Sequence, residues 1–325
     1  MNRPVSFVWV DVFAEQPFGG NPLAVLDGSS IPEEALIELA RELSLSEMTF
    51  FYPPTHPEAD ARVRIFTQAK EIPFAGHPVL GTAFALLQNG TLTWRAPRTT
   101  VRLQLGLGVV PVTIEGGDKP ERARFAHDRI GVKTPPITDE RLAWLPPALG
   151  LASDRLSAAP PGVSQGNSER LLHPQVVNGG ALQLVVPLRS AADVDAIESS
   201  YRDVVVAERM LGAELGIMAF AFADPLRDAR RPDQPLRVRA RFFASDAPQE
   251  DPATGSAAAA LAVYLQHHHV LGNNQTVEID QGPPRGRVEG APGRRSLLRA
   301  QCDGKNVQVE GRVREVLRGT ISLTL

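Results

Sequence analysis

Three side chains, Glu47, His77 and Asp251, are of ionisable types that could carry acid–base chemistry on a small molecule. A carboxyl group removes a proton from carbon and returns it elsewhere when partial burial raises its pKa towards the working pH. An imidazole hydrogen-bonds a substrate or polarises it. Side chains of these types are therefore capable of acid–base chemistry.

Each of the three residues also has a structural interpretation that the residues alone leave open. Glu47 follows an amphipathic stretch and precedes an apolar one, which is equally typical of a solvated loop. Asp251 precedes Pro252 at a predicted helix start, where Asp commonly caps a helix. His77 is consistent with a first-turn residue that has no chemical role.

The segment that contains His77 has a counterpart later in the chain. Glu71-Ile-Pro-Phe-Ala-Gly-His77 aligns without gaps on Glu250-Asp-Pro-Ala-Thr-Gly-Ser256, and each opens an Ala-rich apolar run. The predicted helices cover residues 78–87 and 257–265, and an Arg-x-Phe strand precedes each at 64–66 and 241–243. Helices that are apolar on all sides are buried. The pattern indicates one structural unit used twice; chance recurrence of Pro and Gly at helix starts is the alternative.

The predicted pair of helices also predicts where an anion would bind. A helix N-terminus presents backbone N–H groups and a partial positive charge. Two such ends facing one cleft would hold a small carboxylate or an enolate-like intermediate.

Composition excludes several classes of protein. The 325 residues suggest two domains, and Lys+Arg 34 against Asp+Glu 37 gives a net charge of −3, which argues against a nucleic-acid binder. Cys302 is the single cysteine, so no intrachain disulfide forms, and it is interpreted as a small core residue. No apolar run of about 20 residues or secretory signal is present, so we expect a cytoplasmic protein without membrane contact.

The motifs of metal and cofactor chemistry are missing as well. One cysteine cannot supply a structural zinc site, and His267-His268-His269 is interpreted as a solvated helix end rather than a metal site. The sequence contains no G-x-S-x-G, no Walker A run and no G-x-G-x-x-G after a strand. We therefore expect no metal and no cofactor.

The elements that position these residues are predicted from periodicity. Ser30 is predicted to cap a helix with Pro32 in its first turn, ending near Ser44. A further helix is predicted over 191–210. The predicted strands include residues 48–52, 92–94, 101–105, 109–114, 175–177, 182–187 and 216–222.

Several segments together resemble the PhzF-like (phenazine-biosynthesis) family of the diaminopimelate epimerase superfamily. They are Val10-Asp-Val-Phe with Pro17 to Val25, Leu45-Ser-Glu47, Arg64-Ile-Phe-Thr67, Glu71 to Pro78, Glu250 to Ala257, and Gln281-Gly. The resemblance implies an α+β fold of two pseudo-symmetric domains, each a mostly antiparallel sheet or open barrel around a central helix, with the active site between them. The expected domains are residues 1–128 and 129–325, the last strand packing back on the first domain. It also implies a homodimer without metal, nicotinamide or flavin.

The resemblance assigns roles to the candidate residues. Glu47 falls on the catalytic acid/base, Asp251 is the second ionisable group, and His77 is an active-site residue. The residues expected to bind substrate are Ser46, Gly76, Gly255 and Ser256. The two-cysteine mechanism of related racemases is excluded because no cysteine stands at either helix start.

The implied activity is a cofactor-independent proton shift on a small carboxylate, which for the name-giving members is trans-2,3-dihydro-3-hydroxyanthranilate. An amino-acid racemase or epimerase that uses Glu47 and Asp251 is one alternative, and a non-catalytic binding protein is another. Ser44, Met48, Ser245 and an apparent insertion at 283–292, beside Gly293-Arg-Arg-Ser296, depart from the family pattern. These departures leave the substrate and the pathway open.

Overall fold

The chain forms two compact units. The computed structural model describes residues 4–137, 140–163, 171–198, 205–206, 209–210, 215–224, 234–244, 250–284 and 293–323. Unit 1 comprises Met1–Phe125 with Glu310–Leu325, and unit 2 comprises Ala126–Val309. Ser245 and most of the apparent insertion lie outside the described residues. The domain boundary after residue 128 stays a prediction.

Unit 1 is a closed barrel around one helix. Its strands are β1 (Pro4–Val12), β2 (Asn21–Asp27), β3 (Met48–Tyr52), β4 (Ala61–Phe66), β5 (Glu71–Ile72), β6 (Arg98–Leu105), β7 (Gly108–Gly116), β8 (Pro120–His127) and the C-terminal β16 (Val307–Ser322). Its helices are α1 (Glu33–Leu43) and α2 (Gly76–Gln88). The strand order β1-β2-β3-β4-β6-β7-β8-β16 closes where β16 pairs antiparallel with β1.

Helix α2 fills the inside of this barrel. Every residue from His77 to Leu87 is buried, and the helix packs against β1, β2, β3, β6 and β7. A Cβ atom at Gly81 would lie 2.6 Å from Leu23 Cδ2 and 2.8 Å from Val12 Cγ2, closer than packed side chains allow. Glycine at this point therefore lets the helix approach β1 and β2.

Unit 2 repeats the plan as a sheet around a second helix. Its strands are β9 (Ile130–Val132), β10 (Gln175–Gly179), β11 (Leu182–Pro187), β12 (Gly216–Phe222), β13 (Leu236–Phe243), β14 (Val277–Gln281) and β15 (Ser296–Cys302), and its helices are α3 (Leu145–Ala148), α4 (Ala191–Ala196) and α5 (Gly255–His267). Neighbours in the order β15-β14-β13-β12-β11-β10-β9 pair antiparallel except for β11 with β12 and β13 with β14. The predicted α+β fold class of two similar sheet domains is confirmed.

Helix α5 is as deeply buried as α2, but the glycine at its close contact with the sheet belongs to a strand and not to the helix. It packs against β9, β10, β11, β12 and β15. Here the glycine lies on the strand: a Cβ at Gly179 would overlap the backbone at Ser256 and Ala260 of the helix. Tyr264 is fully buried, and its hydroxyl donates to the carbonyl of His173 at 2.7 Å.

Each copy of the sequence repeat contains a matching ion pair. In unit 1 Arg64 of β4 makes a two-pronged pair with Glu71, at 2.9 and 2.5 Å. In unit 2 Arg241 of β13 binds both carboxylate oxygens of Glu250, the shortest bond being 2.7 Å. Each guanidinium also lies over a phenylalanine two residues along, at 5.0 and 5.1 Å. The two pairs anchor the segments that lead into α2 and α5.

Three predicted elements are wrong in their bounds or type. Ser30 ends a 3₁₀ turn capped by Asp27, and α1 begins at Glu33. Residues 92–94 form no strand, because the Leu92 N–H donates to Leu86 at the end of α2 and the Trp94 indole donates to the Gly117 carbonyl.

The third is the helix predicted over 191–210, which is wrong only in being continuous: residues 197–198 are not helical, whereas 205–206 and 209–210 are, and 199–204 and 207–208 lie outside the described residues. Helix α4 ends at Ala196 because Ile197 has extended backbone angles, φ −54° and ψ 132°. No helix in the described part of the chain is both long and apolar enough to cross a membrane.

Substituting Gly179 by alanine tests the close approach between β10 and α5. The added Cβ would meet helix backbone atoms, which cannot rotate away. We expect Gly179→Ala to lower the free energy of unfolding by at least about 2 kcal/mol. Urea denaturation followed by circular dichroism measures this change. Gly117→Ala is the matched control, since a Cβ there meets nothing within 4 Å. Equal stability of the two variants would contradict the packing described.

The half-buried His268 predicts a loss of stability in acid. Burial and the neighbouring histidines lower its pKa from 6.5 to about 4, and its Nε2 contacts Gln175 Oε1. A histidine whose pKa is depressed on folding stabilises the fold above pH 6.5 and loses that contribution as the pH falls towards about 4.

His268→Gln should therefore reduce the loss of unfolding free energy between pH 7 and pH 4.5. We expect a reduction of about 1 kcal/mol, a value discounted because the side chain is partly exposed. Denaturation at both pH values measures it, with the exposed His56→Gln as control. A variant whose stability falls as steeply as the parent's would refute the assignment.

Candidate active site

Glu47 and His77 lie together in unit 1. Glu47 is in the turn between α1 and β3, immediately before the strand, and His77 is the second residue of α2. The Glu47 Oε2 atom is 3.9 Å from His77 Nε2, with side-chain exposures of 20% and 5%. A carboxyl group with limited access to water thus faces a buried imidazole.

Asn21 and Ser46 complete this group of side chains. Asn21 is buried at the start of β2, and its Nδ2 lies 3.3 Å from His77 Nδ1. The hydroxyl of Ser46 donates to Asn21 Oδ1 at 3.4 Å. With the amide nitrogen donating, Nδ1 of His77 accepts, and the proton of a neutral ring is on Nε2, the nitrogen that faces Glu47.

Asn21 was not among the site residues predicted from the sequence. It lies in the Gly-Gly-Asn-Pro segment, which entered the prediction only as part of the family motif from Pro17 to Val25. An asparagine directly after two glycines was the available signal in the sequence. Its partner His77 is 56 residues away in the chain, so the pairing could not be derived from spacing.

The N-terminus of α2 carries no side-chain cap. Its N-cap residue is Ala75, which has an extended backbone and no side-chain group able to accept a hydrogen bond. Gly76 and His77 form the first turn, and Pro78 has no N–H. The polarity of this helix end is therefore not offset by a capping side chain, and an anion near it would be stabilised.

In unit 2, Asp251 lies in the turn before α5. The helix begins at Gly255 with Thr254 as N-cap, so the interpretation of Asp251 as the helix cap is wrong by three residues. Thr254 Oγ1 donates to Asp251 Oδ2 at 2.6 Å. The amide of buried Gln281, at the end of β14, donates to the Asp251 carbonyl at 3.0 Å. Neither Thr254 nor Gln281 was predicted as a site residue.

Gly255 and Ser256 form the first turn of α5, again without a side-chain cap hydrogen bond. The Ser256 hydroxyl accepts from Gln183 Nε2 at 3.1 Å, and Gln183 Oε1 accepts from the Gly216 N–H at 3.1 Å. This chain of bonds ties the start of the helix to β11 and β12.

The predicted site residues thus form two groups, each within one unit. Ser46, Glu47, Gly76 and His77 lie together in unit 1. Asp251, Gly255 and Ser256 lie together in unit 2. Their union into one site, and the role of each residue, stay predictions.

Cys302 and the histidine cluster lie towards the opposite end of α5 from Gly255 and Ser256. Cys302 is buried at the end of β15, and its carbonyl accepts from Gln266 near the C-terminal end of α5. Burial raises the pKa of its thiol, which disfavours the reactive thiolate. Within the described residues, no three His, Cys, Asp or Glu side chains are grouped to hold a metal ion.

Comparison with known proteins places the chain in a family. A family model described as phenazine biosynthesis-like protein (PhzC-PhzF) matches residues 10–319. A trans-2,3-dihydro-3-hydroxyanthranilate isomerase from Pseudomonas aeruginosa is 32% identical over 305 residues, which cover 93% of this chain and 92% of the relative.

Solved structures agree with this assignment. A predicted epimerase from Pseudomonas aeruginosa has a TM-score of 0.74 at 26% identity, covering 98% of this chain and 99% of that one. A probable proline racemase from Agrobacterium radiobacter has a TM-score of 0.62 at 14% identity, covering 98% and 93%, which is a likeness of fold alone. The chain belongs to the PhzC-PhzF family of phenazine biosynthesis-like proteins and is an isomerase.

Proposed function

We propose that this isomerase moves a proton between two carbon positions of a small unsaturated carboxylate, with Glu47 as the acid/base. The observation that carries the proposal is the 3.9 Å approach of Glu47 Oε2 to the buried His77 Nε2 beside the uncapped start of α2. One carboxyl group that both removes and returns a proton on the same face is sufficient for a 1,3- or 1,5-shift.

In this mechanism His77 supports the reaction without itself taking the substrate's proton. Asn21 faces Nδ1, so a neutral ring presents the Nε2 proton towards Glu47. That N–H would donate to the Glu47 carboxylate or to an oxygen of the substrate.

The substrate's own carboxylate would be held by helix ends. In unit 1 we assign this role to backbone N–H groups at Gly76 and His77, with Ser46 at the edge. In unit 2 we assign it to Gly255 and Ser256, with Asp251 as the second ionisable group. The support is that neither helix uses a side chain to cap its N-terminus.

The substrate class is proposed from the relatives. The Pseudomonas aeruginosa relative is named for trans-2,3-dihydro-3-hydroxyanthranilate, which makes that compound the first substrate to test. We propose that catalysis needs neither a metal nor a cofactor. We further propose that the protein is a cytoplasmic homodimer, which light scattering of the purified protein would test.

Glu47→Gln tests the assignment of the acid/base. The panel consists of small unsaturated and amino-substituted carboxylates, including trans-2,3-dihydro-3-hydroxyanthranilate, incubated in D₂O and followed by NMR. We expect deuterium to enter one compound with the parent enzyme. The amide cannot exchange protons with carbon, so the variant should be slower by at least about 100-fold.

Glu42→Gln makes the same chemical change at an exposed position of α1 and should leave the rate unchanged. Equal deuterium incorporation by Glu47→Gln and the parent would remove Glu47 from the mechanism. Inverted configuration at the exchanged carbon would indicate an epimerase that uses Glu47 and Asp251. Binding of a compound without exchange, by parent and variant alike, would indicate a binding protein.

A further inference from the structure

We propose that Thr254 and Gln281 are positioning residues that hold Asp251 as an ionised hydrogen-bond acceptor; the catalytic use of Asp251 rests on the proposed function. The three residues form a connected ring at the start of α5. Thr254 N donates to Gln281 Oε1 at 3.3 Å, Gln281 Nε2 donates to Asp251 O and to Thr254 Oγ1 at 3.0 Å each, and Thr254 Oγ1 donates to Asp251 Oδ2 at 2.6 Å.

The directions of the bonds made by the Gln281 amide follow from the two backbone members of the ring. A peptide N–H only donates and a peptide carbonyl only accepts, so the Gln281 amide must turn Oε1 towards Thr254 N and Nε2 towards Asp251 O. The Nε2 group therefore donates to the Thr254 hydroxyl. That hydroxyl has one hydrogen, which is directed at Asp251 Oδ2.

This direction has a chemical consequence for Asp251. Its Oδ2 accepts the short bond from Thr254, and its Oδ1 accepts from the Ala253 N–H at 3.3 Å. Hydrogen bonds donated to a carboxylate favour the charged form. These bonds favour the ionised form of Asp251 and fix its position, which suits it to accept a hydrogen bond from the substrate rather than to carry its proton.

The backbone around Gln281 is itself held on both sides. Gln281 is completely buried, and the neighbouring carbonyls of Asp280 and Gly282 both accept from the guanidinium of Arg239. Arg239 is 5% exposed and pairs with Asp195 at 2.8 Å. Gly282 has a φ of +120°, which side-chain-bearing residues rarely adopt. The Gln281 amide is therefore presented to α5 from a rigid strand end.

The charged groups near Asp251 in unit 2 stay the same when the ring is altered. Glu250, its neighbour, is paired with Arg241 of β13. Asp280 of β14 is paired with Arg295. Together with Arg239, these groups contribute equally to parent and variants, so a change in the titration of Asp251 reports the ring alone.

The test is ¹³C NMR of protein labelled at the aspartate carboxyl carbons, with the Asp251 resonance assigned through Asp251→Asn. Thr254→Val removes the donor at nearly constant shape, and we expect the titration midpoint of Asp251 to rise by about one pH unit. Thr254→Ser keeps the hydroxyl and should restore the parent midpoint. Gln281→Met should raise the midpoint by a smaller amount, because the hydroxyl then rotates freely.

Thr276→Val makes the same substitution elsewhere in unit 2, where the hydroxyl accepts from Gln301, and should leave the Asp251 midpoint unmoved. A folded Thr254→Val protein with the parent midpoint would overturn the proposal. If Thr254→Val does not fold, an unmoved midpoint in Gln281→Met has the same meaning. Failure of both to fold would make the ring purely structural and would also overturn it.

Activity separates this inference from the proposed function. With a substrate in hand, the acidic limb of the kcat/KM profile should move with the NMR midpoint, and kcat/KM should fall about tenfold in Thr254→Val. A moved midpoint in a protein that turns over none of the compounds would leave this inference standing and count against the proposed function. Turnover of a compound together with an unmoved Asp251 midpoint would overturn this inference and support the proposed function.

Discussion

Burial of the two central helices is the constraint on which the rest of the structure depends. Helices α2 and α5 are apolar on nearly every side, so each can exist only inside a sheet that surrounds it. A glycine makes the closest approach in both units, on the helix at Gly81 and on the strand at Gly179. At both helix starts the N-cap residue makes no side-chain hydrogen bond, so backbone N–H groups and a partial positive charge are presented there, and the candidate site residues lie beside these two ends.

The matched ion pairs fix where each helix begins. Arg64 with Glu71 and Arg241 with Glu250 join a strand to the turn that leads into the helix. The two pairs differ in environment: the unit 1 pair is 21% and 43% exposed, whereas the unit 2 pair is 8% and 12% exposed. Breaking the buried pair would leave an uncompensated charge at a cost of about 3–5 kcal/mol, while the exposed pair contributes about 1 kcal/mol or less. The stability of unit 2 therefore depends far more on its ion pair than the stability of unit 1 does. Asp251 directly follows Glu250, a member of the buried pair.

Polar networks surround the candidate residues at each helix start. In unit 1 the Ser46–Asn21–His77 contacts set the imidazole proton towards Glu47. In unit 2 a ring through Thr254 sets a hydroxyl proton towards Asp251. The same plan thus presents one carboxyl group next to an imidazole and another next to a hydroxyl. These different surroundings are consistent with different roles for two otherwise similar side chains.

The sequence by itself determined the repeat, the apolar helices and the family motifs, because each is local: the spacing of Pro and Gly and the all-round apolar pattern are visible within ten or so residues. Local patterns wrongly predicted a strand at 92–94 and an uninterrupted helix at 191–210. A hydrogen bond to Leu86 prevents the strand, and the extended backbone at Ile197 interrupts the helix. Only the tertiary structure brought Asn21 to His77, 56 residues away, and Gln281 to Thr254, 27 residues away. Strand pairing and helix packing determine which residues become neighbours. A buried polar side chain then hydrogen-bonds to a donor or acceptor that lies beside it in the folded chain.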